Sequence, residues 1–486
     1  MEVVHSGNRI KNFFKSRILG VLVGAIFSGI LLAVSMPPIG LSFVGWFALV
    51  PLFWAVSGTR FLYGVVGSLV TALSGALYLL FGVSRTFKGE PNWVYAGYLL
   101  FGLMLFVIAG TFAEMKVIRF RHIPLLAALA VCMESAMMVV LPVHIALSQY
   151  RNSGALVLAS IGGIWAVSFL LWVTVFLLAK FARQPKTTSI PAIAWCAVMA
   201  LFSNLVALPQ AKPGSLTVGT VQTQSVELKT LAALTDKASR AGASIVVWPE
   251  LSSISIAPGG NTSDLVELSK RPDEPAFVTT FEDAAKPKPH NVAALFWQGQ
   301  ESARYFKRKP FAGEATLHQA GDKAVVASWT TPIGLNICFD STYPAVLRET
   351  ANSPGVGLIA LPTEDPPSAN GVVQAIHSAY TPFRAAELGI SIARADITGY
   401  SMIVGSDGRI LAESGLKPDS ILVTSVPPPR DTFYKQFGDW FLYLCYLSTF
   451  GWIGRRLIAL RRRNGVRSQG DLDSDLAGHP MKCLKR

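Results

Sequence analysis

Gly334-Leu-Asn-Ile-Cys338-Phe-Asp340 decides how this chain reads. A short alternating apolar run gives a strand, and a cysteine and an aspartate follow where the strand would turn. Cys338 is the only cysteine between Gln210 and Gln436, a long segment between two apolar parts of the chain. It has no thiol partner there. A disulfide framework is excluded within the segment, and no Cys/His spacing suggests zinc. Two readings remain: a nucleophile exposed at a strand-to-helix elbow, or a small buried core residue.

Two more stretches of the segment bear on that choice. Val246-Val-Trp-Pro-Glu250 is a short apolar strand ending in a carboxylate. A glutamate poorly solvated at a strand end has a raised pKa and suits a general base, although it also fits an ordinary strand-end acid. Tyr305-Phe306-Lys307 puts an amine after another strand, with Arg304, Arg308 and Lys309 beside it. A fixed ammonium there would lower a nearby thiol's pKa and stabilise an oxyanion. An exposed basic loop would look the same.

Working outward, the composition demands a membrane. Of the 486 residues, 51% are hydrophobic and only 15% charged, too apolar for an ordinary soluble protein. The net charge of +13 sits mostly beside apolar runs, so it reads as topology-setting charge rather than a nucleic-acid surface. Seven runs precede the segment: Ile18–Ser35, Leu41–Gly58, Leu62–Val83, Trp93–Ala113, Ile123–Val143, Ala155–Ala179 and Ile190–Leu208. An eighth covers Phe437–Leu460. The first run lacks a small-residue cleavage site and is followed by more runs, so it is not a cleavable signal.

The expected organisation is a cytoplasmic arm (residues 1–17), a seven-helix membrane bundle (18–209), an extracytoplasmic domain (210–436), a C-terminal transmembrane helix (437–460) and a basic, disordered cytoplasmic tail (461–486). Orientation follows from the lysines and arginines. Arg9, Lys11, Lys15 and Arg17, then Arg60, then Lys116, Arg119 and Arg121, then Lys180, Arg183 and Lys186 mark one side; the alternate loops carry only Arg85, Lys88 and Arg151. That places both termini in the cytoplasm and the domain on the far side of the membrane, which at the inner membrane of a Gram-negative bacterial cell is the periplasm. Inside run five, Glu134 is expensive in lipid and implies either a cavity or a hydrogen-bonded helix partner.

Within the segment, strands are expected at Ser215–Gln222, Ala243–Trp248, Asn291–Trp297, Ala324–Trp329, Gly334–Phe339, Gly357–Leu361, Ile390–Ala395, Ser401–Val404 and Ser420–Val426. Helices are expected at Ser225–Gly242 and Gln374–Leu388. The alternation implies a layered α/β domain with one core.

A strand-end glutamate, then a lysine, then a strand-end cysteine resembles the carbon–nitrogen hydrolase (nitrilase) superfamily over Ser215–Val426. That resemblance implies a four-layer α-β-β-α sandwich with Glu250 as base, Lys307 as oxyanion stabiliser and Cys338 as acylated nucleophile. The whole chain resembles the apolipoprotein N-acyltransferase architecture. Matching pieces are Glu134, Gly162-Gly163-Ile-Trp165-Ala-Val-Ser168-Phe169, Asn291-Val-Ala, Phe311-Ala-Gly313-Glu314, Arg384-Ala-Ala-Glu387, Arg394-Ala-Asp and Tyr434-Lys-Gln-Phe-Gly438-Asp439-Trp440. Glu314 would be a second glutamate near the nucleophile, with Asp340 supporting it. The chain departs from that family at Phe339-Asp340, where Tyr-Glu is usual, and at Pro362-Thr-Glu364-Asp365-Pro-Pro367, where Asn-Asp-x-Trp-Phe is usual. By overall likeness it is most similar to the rhizobium-type TraB family of plasmid conjugal transfer proteins.

The resemblance implies acyl transfer through a Cys338 thioester, from a membrane lipid or lipidated donor to an amine, in the service of conjugal plasmid transfer. Conjugation-apparatus proteins would be partners. No metal or organic cofactor and no direct nucleic-acid contact are expected. The alternatives are a housekeeping apolipoprotein N-acyltransferase and a non-catalytic membrane component of a mating apparatus.

Overall fold

The computed structural model describes residues 2–86, 91–115, 118–138, 143–183, 185–205, 214–251, 256–271, 274–311, 313–366, 371–416 and 419–477. Lys88, Lys116, Gln210, Ala312 and Pro367, all used in the sequence reading, lie outside the described residues.

Among the described residues, twelve strands form the middle segment: β1 (Thr217–Gln222), β2 (Ile245–Val247), β3 (Ala276–Glu282), β4 (Asn291–Trp297), β5 (Gln300–Phe306), β6 (Val325–Ala327), β7 (Ile333–Leu335), β8 (Leu358–Thr363), β9 (Ser391–Asp396), β10 (Met402–Val404), β11 (Ile410–Glu413) and β12 (Ser420–Ser425). They make two six-stranded sheets, ordered β12-β1-β2-β3-β4-β5 and β11-β10-β9-β8-β7-β6. In each sheet the middle strands run parallel and the outer ones antiparallel. The middle strands are covered on both faces, which is why Ile245-Val-Val and Leu358-Ile-Ala-Leu read as continuous apolar runs.

The two sheets face each other across a core containing Val218, Ile245, Val278, Leu335, Leu358 and Ala393. Helix Leu228–Arg240 covers the outside of the first sheet with Leu231, Leu234 and Ala238. Helices Pro344–Ala351 and Tyr380–Leu388 cover the second with Val346, Leu347, Ala385 and Leu388. The layers are therefore α-β-β-α, as expected.

Several elements differ from the sequence reading. The expected helix Gln374–Leu388 is two helices, Val372–Ser378 and Tyr380–Leu388, and Pro382 in the first turn of the second suits a helix start better than a helix interior. β3, β5 and β11 were not expected. β5, Gln-Glu-Ser-Ala-Arg-Tyr-Phe, is an edge strand with one polar face and so carries a weak apolar signal.

Among the described residues, three helical stretches are long and apolar enough to cross a membrane: Arg17–Ser35, Phe120–Met137 and Ser153–Ala182. Shorter apolar stretches are Ser42–Val56, Phe61–Gly75, Gly102–Glu114 and Ile190–Ser203. The expected span Leu41–Gly58 is a correction. It folds as two short helices, Ser42–Gly45 and Val50–Val56, the second opening at Pro51, which has no amide proton to continue the first. The last helix, Trp440–Ala477, continues well past the expected end of its apolar run, so residues 461–477 are helical rather than disordered. Arg455 and Arg456 lower its hydropathy, and propagation from a formed helix costs far less than nucleation.

Glu134 is resolved as a packing carboxylate. It accepts from Ser168 Oγ at 2.6 Å and Trp172 Nε1 at 2.9 Å, and His144 Nδ1 stands 3.5 Å away. The same long helix meets the sandwich. It breaks at Gly163 (φ 70°), and the freed amide of Ile164 donates to Glu387 Oε1 at 2.7 Å. Trp165 Nε1 and Tyr434 hydroxyl both donate to Asp439 Oδ1, at 2.8 and 2.7 Å.

Candidate active site

The carboxyl ends of the parallel strands point to one place. Glu250 follows β2, Cys338 follows β7, and Glu364 and Asp365 follow β8. Ligand and catalytic groups collect at such ends because loops there emerge together from a rigid sheet. The Glu250 amide donates to the Thr363 carbonyl at 3.2 Å, tying one sheet to the other across the site.

Glu250 is 3% exposed and its carboxylate is fully engaged. Oε1 accepts from Lys307 Nζ at 2.9 Å and Asn291 Nδ2 at 2.6 Å, and Oε2 accepts from the Glu364 amide at 3.0 Å. Lys307, 2% exposed, also donates to Glu314 Oε2 at 2.6 Å. Glu314 sits in a single helical turn, Glu314–Thr316, and accepts from the Phe311 amide and from Asn291 Nδ2. Asn291 thus bridges both glutamates, while its carbonyl accepts the Lys307 amide at 2.9 Å. Strand pairing of Val292 with Phe306 puts the two residues opposite each other. Lys309 lies elsewhere, with its ammonium 5.0 Å from the Tyr343 ring centre.

Cys338 does not end a strand. It opens a tight turn, Cys338–Thr342, with φ +47°. A non-glycine residue held there costs about 1–3 kcal/mol and needs its surroundings to hold it. Asp340 supplies part of that hold. Its Oδ2 accepts from the Ile337 amide at 3.0 Å and the Tyr305 hydroxyl at 2.7 Å, and its Oδ1 accepts from the Lys309 amide at 2.8 Å. One buried carboxylate so fixes both the cysteine turn and the strand end that carries Lys307. The Cys338 thiol donates to the Glu364 carbonyl over 3.8 Å.

The two glutamates have different electrostatic fates. Burial pushes Glu250 above the usual carboxylate range against the pull of Lys307. Burial would also raise Glu314, but Lys307 and the hydrogen bonds outweigh it and hold it below that range. Burial would lower Lys307, yet Glu250, Cys338 and Glu314 together push it well above its ordinary value. The Cys338 thiol is pushed well up, first by burial and then by Glu250. Lys307 pulls the thiol down, as the sequence implies of a nearby ammonium, but burial and Glu250 outweigh it. Similar groups pushed apart in pKa mark acid–base assignments. Here Glu314 is the fixed charge that anchors Lys307, and Glu250 is the carboxylate able to carry a proton.

Cys338, Asp365 and His377 bring three metal-ligating atoms within 4.8 Å of one another. Asp365 Oδ1 and His377 Nδ1 are only 2.5 Å apart. Tetrahedral ligands at bond lengths of about 2.0–2.1 Å stand roughly 3.4 Å apart, so this contact is a hydrogen bond and not a metal edge. The sequence reading singled out Glu250, Lys307, Glu314, Cys338 and Asp340, and did not single out the roles of Asn291, Ser341, Asp365 and His377. Asn291 had a readable signal, as the one polar residue opening an apolar strand.

Residues 205–436 match the carbon–nitrogen hydrolase family, and residues 28–178 match the apolipoprotein N-acyltransferase N-terminal domain. The chain is 25% identical to the apolipoprotein N-acyltransferase of Geobacter metallireducens over 489 residues, covering 87% of this chain and 92% of that one. It is 22% identical to the apolipoprotein N-acyltransferase of Thermotoga maritima over 491 residues, covering 92% and 95%. The match to apolipoprotein N-acyltransferase 2 of Treponema pallidum is 27% identical over 145 residues and spans only 29% of this chain and 26% of that protein. Among solved structures, an amidase from Nesterenkonia sp. is 24% identical and covers 49% of this chain and 98% of its own, with a TM-score of 0.40. The chain therefore carries a carbon–nitrogen hydrolase domain behind an N-terminal part of the acyltransferase kind, and as a whole is apolipoprotein N-acyltransferase-like.

Proposed function

We propose that this chain is a membrane-anchored N-acyltransferase that moves an acyl group from a phospholipid to the amine of a lipoprotein through a thioester on Cys338. The observation that carries this reading is the convergence of Glu250, Lys307 and Glu314 on a buried cysteine turn, in a domain joined to apolar helices. Glu250 takes the thiol proton, and the sulfur attacks the ester carbonyl. Lys307, whose charge acts on the thiol, steadies the oxyanion that forms. The C–O bond breaks, and the proton on Glu250 passes to the leaving alcohol. An amine then attacks the thioester carbonyl. Its C–N bond forms as the C–S bond breaks, and the amine proton returns through Glu250 to sulfur.

The relatives' names favour housekeeping lipoprotein acylation over service in plasmid transfer, which rests on sequence likeness alone. The apolar helices keep the site near a lipid surface, and the charge pattern of the loops supports a periplasmic domain.

The test is intact-mass spectrometry of the full-length protein incubated with phospholipid vesicles. The parent protein gains one acyl mass on the Cys338 peptide. Cys338→Ser, nearly isosteric and so still folded, loses that adduct by at least about a hundredfold, because an alcohol ionises far less readily than a thiol. An undiminished adduct in a folded Cys338→Ser protein would sink the reading.

A further inference from the structure

A second buried polar group reaches Cys338, and the acyl-transfer steps above do not use it. Ser341 donates its hydroxyl to the Cys338 carbonyl at 2.8 Å. His377 Nε2 lies 3.2 Å from that Ser341 oxygen, and His377 Nδ1 lies 2.5 Å from Asp365 Oδ1. One nitrogen of Arg394 donates to Asp365 Oδ2 and to Asp396 Oδ2, and stands 3.3 Å from His377 Nδ1. All five residues are buried.

The protons can be counted. Ser341 has one hydroxyl proton, and a carbonyl only accepts, so the Cys338 carbonyl takes it. His377 Nε2 must then donate to Ser341 and carries a hydrogen. Nδ1 and a carboxylate oxygen at 2.5 Å each bear lone pairs, so that contact needs a second proton between them. Burial, followed by Arg394, pushes His377 well below its usual range. Burial pushes Asp365 up, against the pull of Arg394 and a hydrogen bond with Asp396. The two protons leave the pair without net charge, whether as a carboxylic acid beside a neutral imidazole or as a carboxylate beside an imidazolium.

We propose that Asp365 and His377 are positioning residues for the nucleophile: a pair that shares two protons, carries no net charge, pins the Cys338 turn through Ser341 and keeps net negative charge from facing its sulfur. The sulfur, a His377 nitrogen and an Asp365 oxygen lie within 4.8 Å of one another, so charge on Asp365 opposes thiolate formation directly. The other charged groups that act on His377 are Arg394, Asp396, Lys307 and Glu250. The inference rests on Cys338 being the nucleophile, but its test needs no acyl donor.

Alkylation by iodoacetamide is followed against pH at the Cys338 peptide by mass spectrometry, with the full chain in detergent micelles. His377→Gln leaves Asp365 as a carboxylate that shares Arg394 with Asp396. The alkylation midpoint moves to higher pH, and the rate at pH 8 falls roughly tenfold for each whole pH step the midpoint climbs. Asp365→Asn keeps the site neutral and leaves the midpoint near that of the parent. Ser341→Ala loosens the turn and changes the limiting rate at high pH without moving the midpoint. The opposite pattern, with His377→Gln unmoved and Asp365→Asn displaced to lower pH, means a pair that holds one proton and a net negative charge, and overturns the proposal. So does a fall in midpoint for His377→Gln, since unfolding exposes the thiol and can only lower it. Failure of the acyl-transfer reading shows separately, as a parent protein that forms no adduct whatever its alkylation profile.

Discussion

At the scale of single residues, the site is a balance of buried charges in which each group sets its neighbour. Glu250, the proposed acceptor of the thiol's proton, also raises the thiol's pKa as a carboxylate. The sign of a substitution follows. Glu250→Gln removes that second upward cause, so Cys338 alkylation moves to lower pH and speeds up severalfold at pH 8, while acyl-adduct formation is lost with the base. An unmoved or alkaline-displaced profile would contradict the placement of that charge. Lys307 acts the other way. Lys307→Met removes a downward pull on the thiol, leaves buried Glu250 and half-buried Glu314 without their shared ammonium, and costs about 3–5 kcal/mol of stability as well as the adduct. Lys309→Met loses only a surface cation over Tyr343 and keeps adduct formation within about twofold. Adduct measurements on the two methionine variants side by side check this; survival of the adduct in Lys307→Met and loss in Lys309→Met would reverse the assignment.

At the scale of elements, the long helix Ser153–Arg183 is where the apolar part and the sandwich are joined. Its break at Gly163 is held by Glu387 from the sandwich, and a Cβ at that position would lie 2.5 Å from the Tyr434 ring. Gly163→Ala combines a positive φ with an overlap that neither partner can relieve, since Tyr434 is fully buried and tied to Asp439. We expect it to destabilise the junction by about 1–3 kcal/mol, read as a lower thermal midpoint in detergent. Gly20→Ala, whose added carbon meets nothing within 4 Å, is the control and keeps or slightly raises the midpoint. Equal midpoints for the two would show that the junction does not depend on the break at Gly163.

At the scale of the whole molecule, the open question is which side of the membrane the sandwich occupies. The lysine and arginine asymmetry of the loops predicts the periplasmic side, with both termini inside. A phosphatase reporter fused near Gly299 is then active and one fused near Arg183 inactive. The short helices Ser42–Gly45 and Val50–Val56 make this a sharp test, because a stretch that fails to cross would invert everything after it. The reverse reporter pattern would show that it does.

The sequence by itself determined the layered sandwich and its central strands. Doubly covered parallel strands must be continuously apolar, so Ile245-Val-Val and Leu358-Ile-Ala-Leu announce themselves locally. Glu250, Lys307 and Cys338 stood out only as a set whose order resembles one superfamily, since each alone also fits an ordinary strand-end acid, a basic loop or a core cysteine. Edge strands such as β5 and the broken second apolar run were not legible, since a polar face or a proline removes the periodic signal on which local reading depends. The direction of the Cys338 pKa, the bridging of two glutamates by Asn291 and the Asp365–His377 contact were decided only by the tertiary structure. Each depends on burial and on distances between residues far apart in the chain, such as Glu250 and Lys307 or Asp365 and Arg394, and no local pattern fixes either.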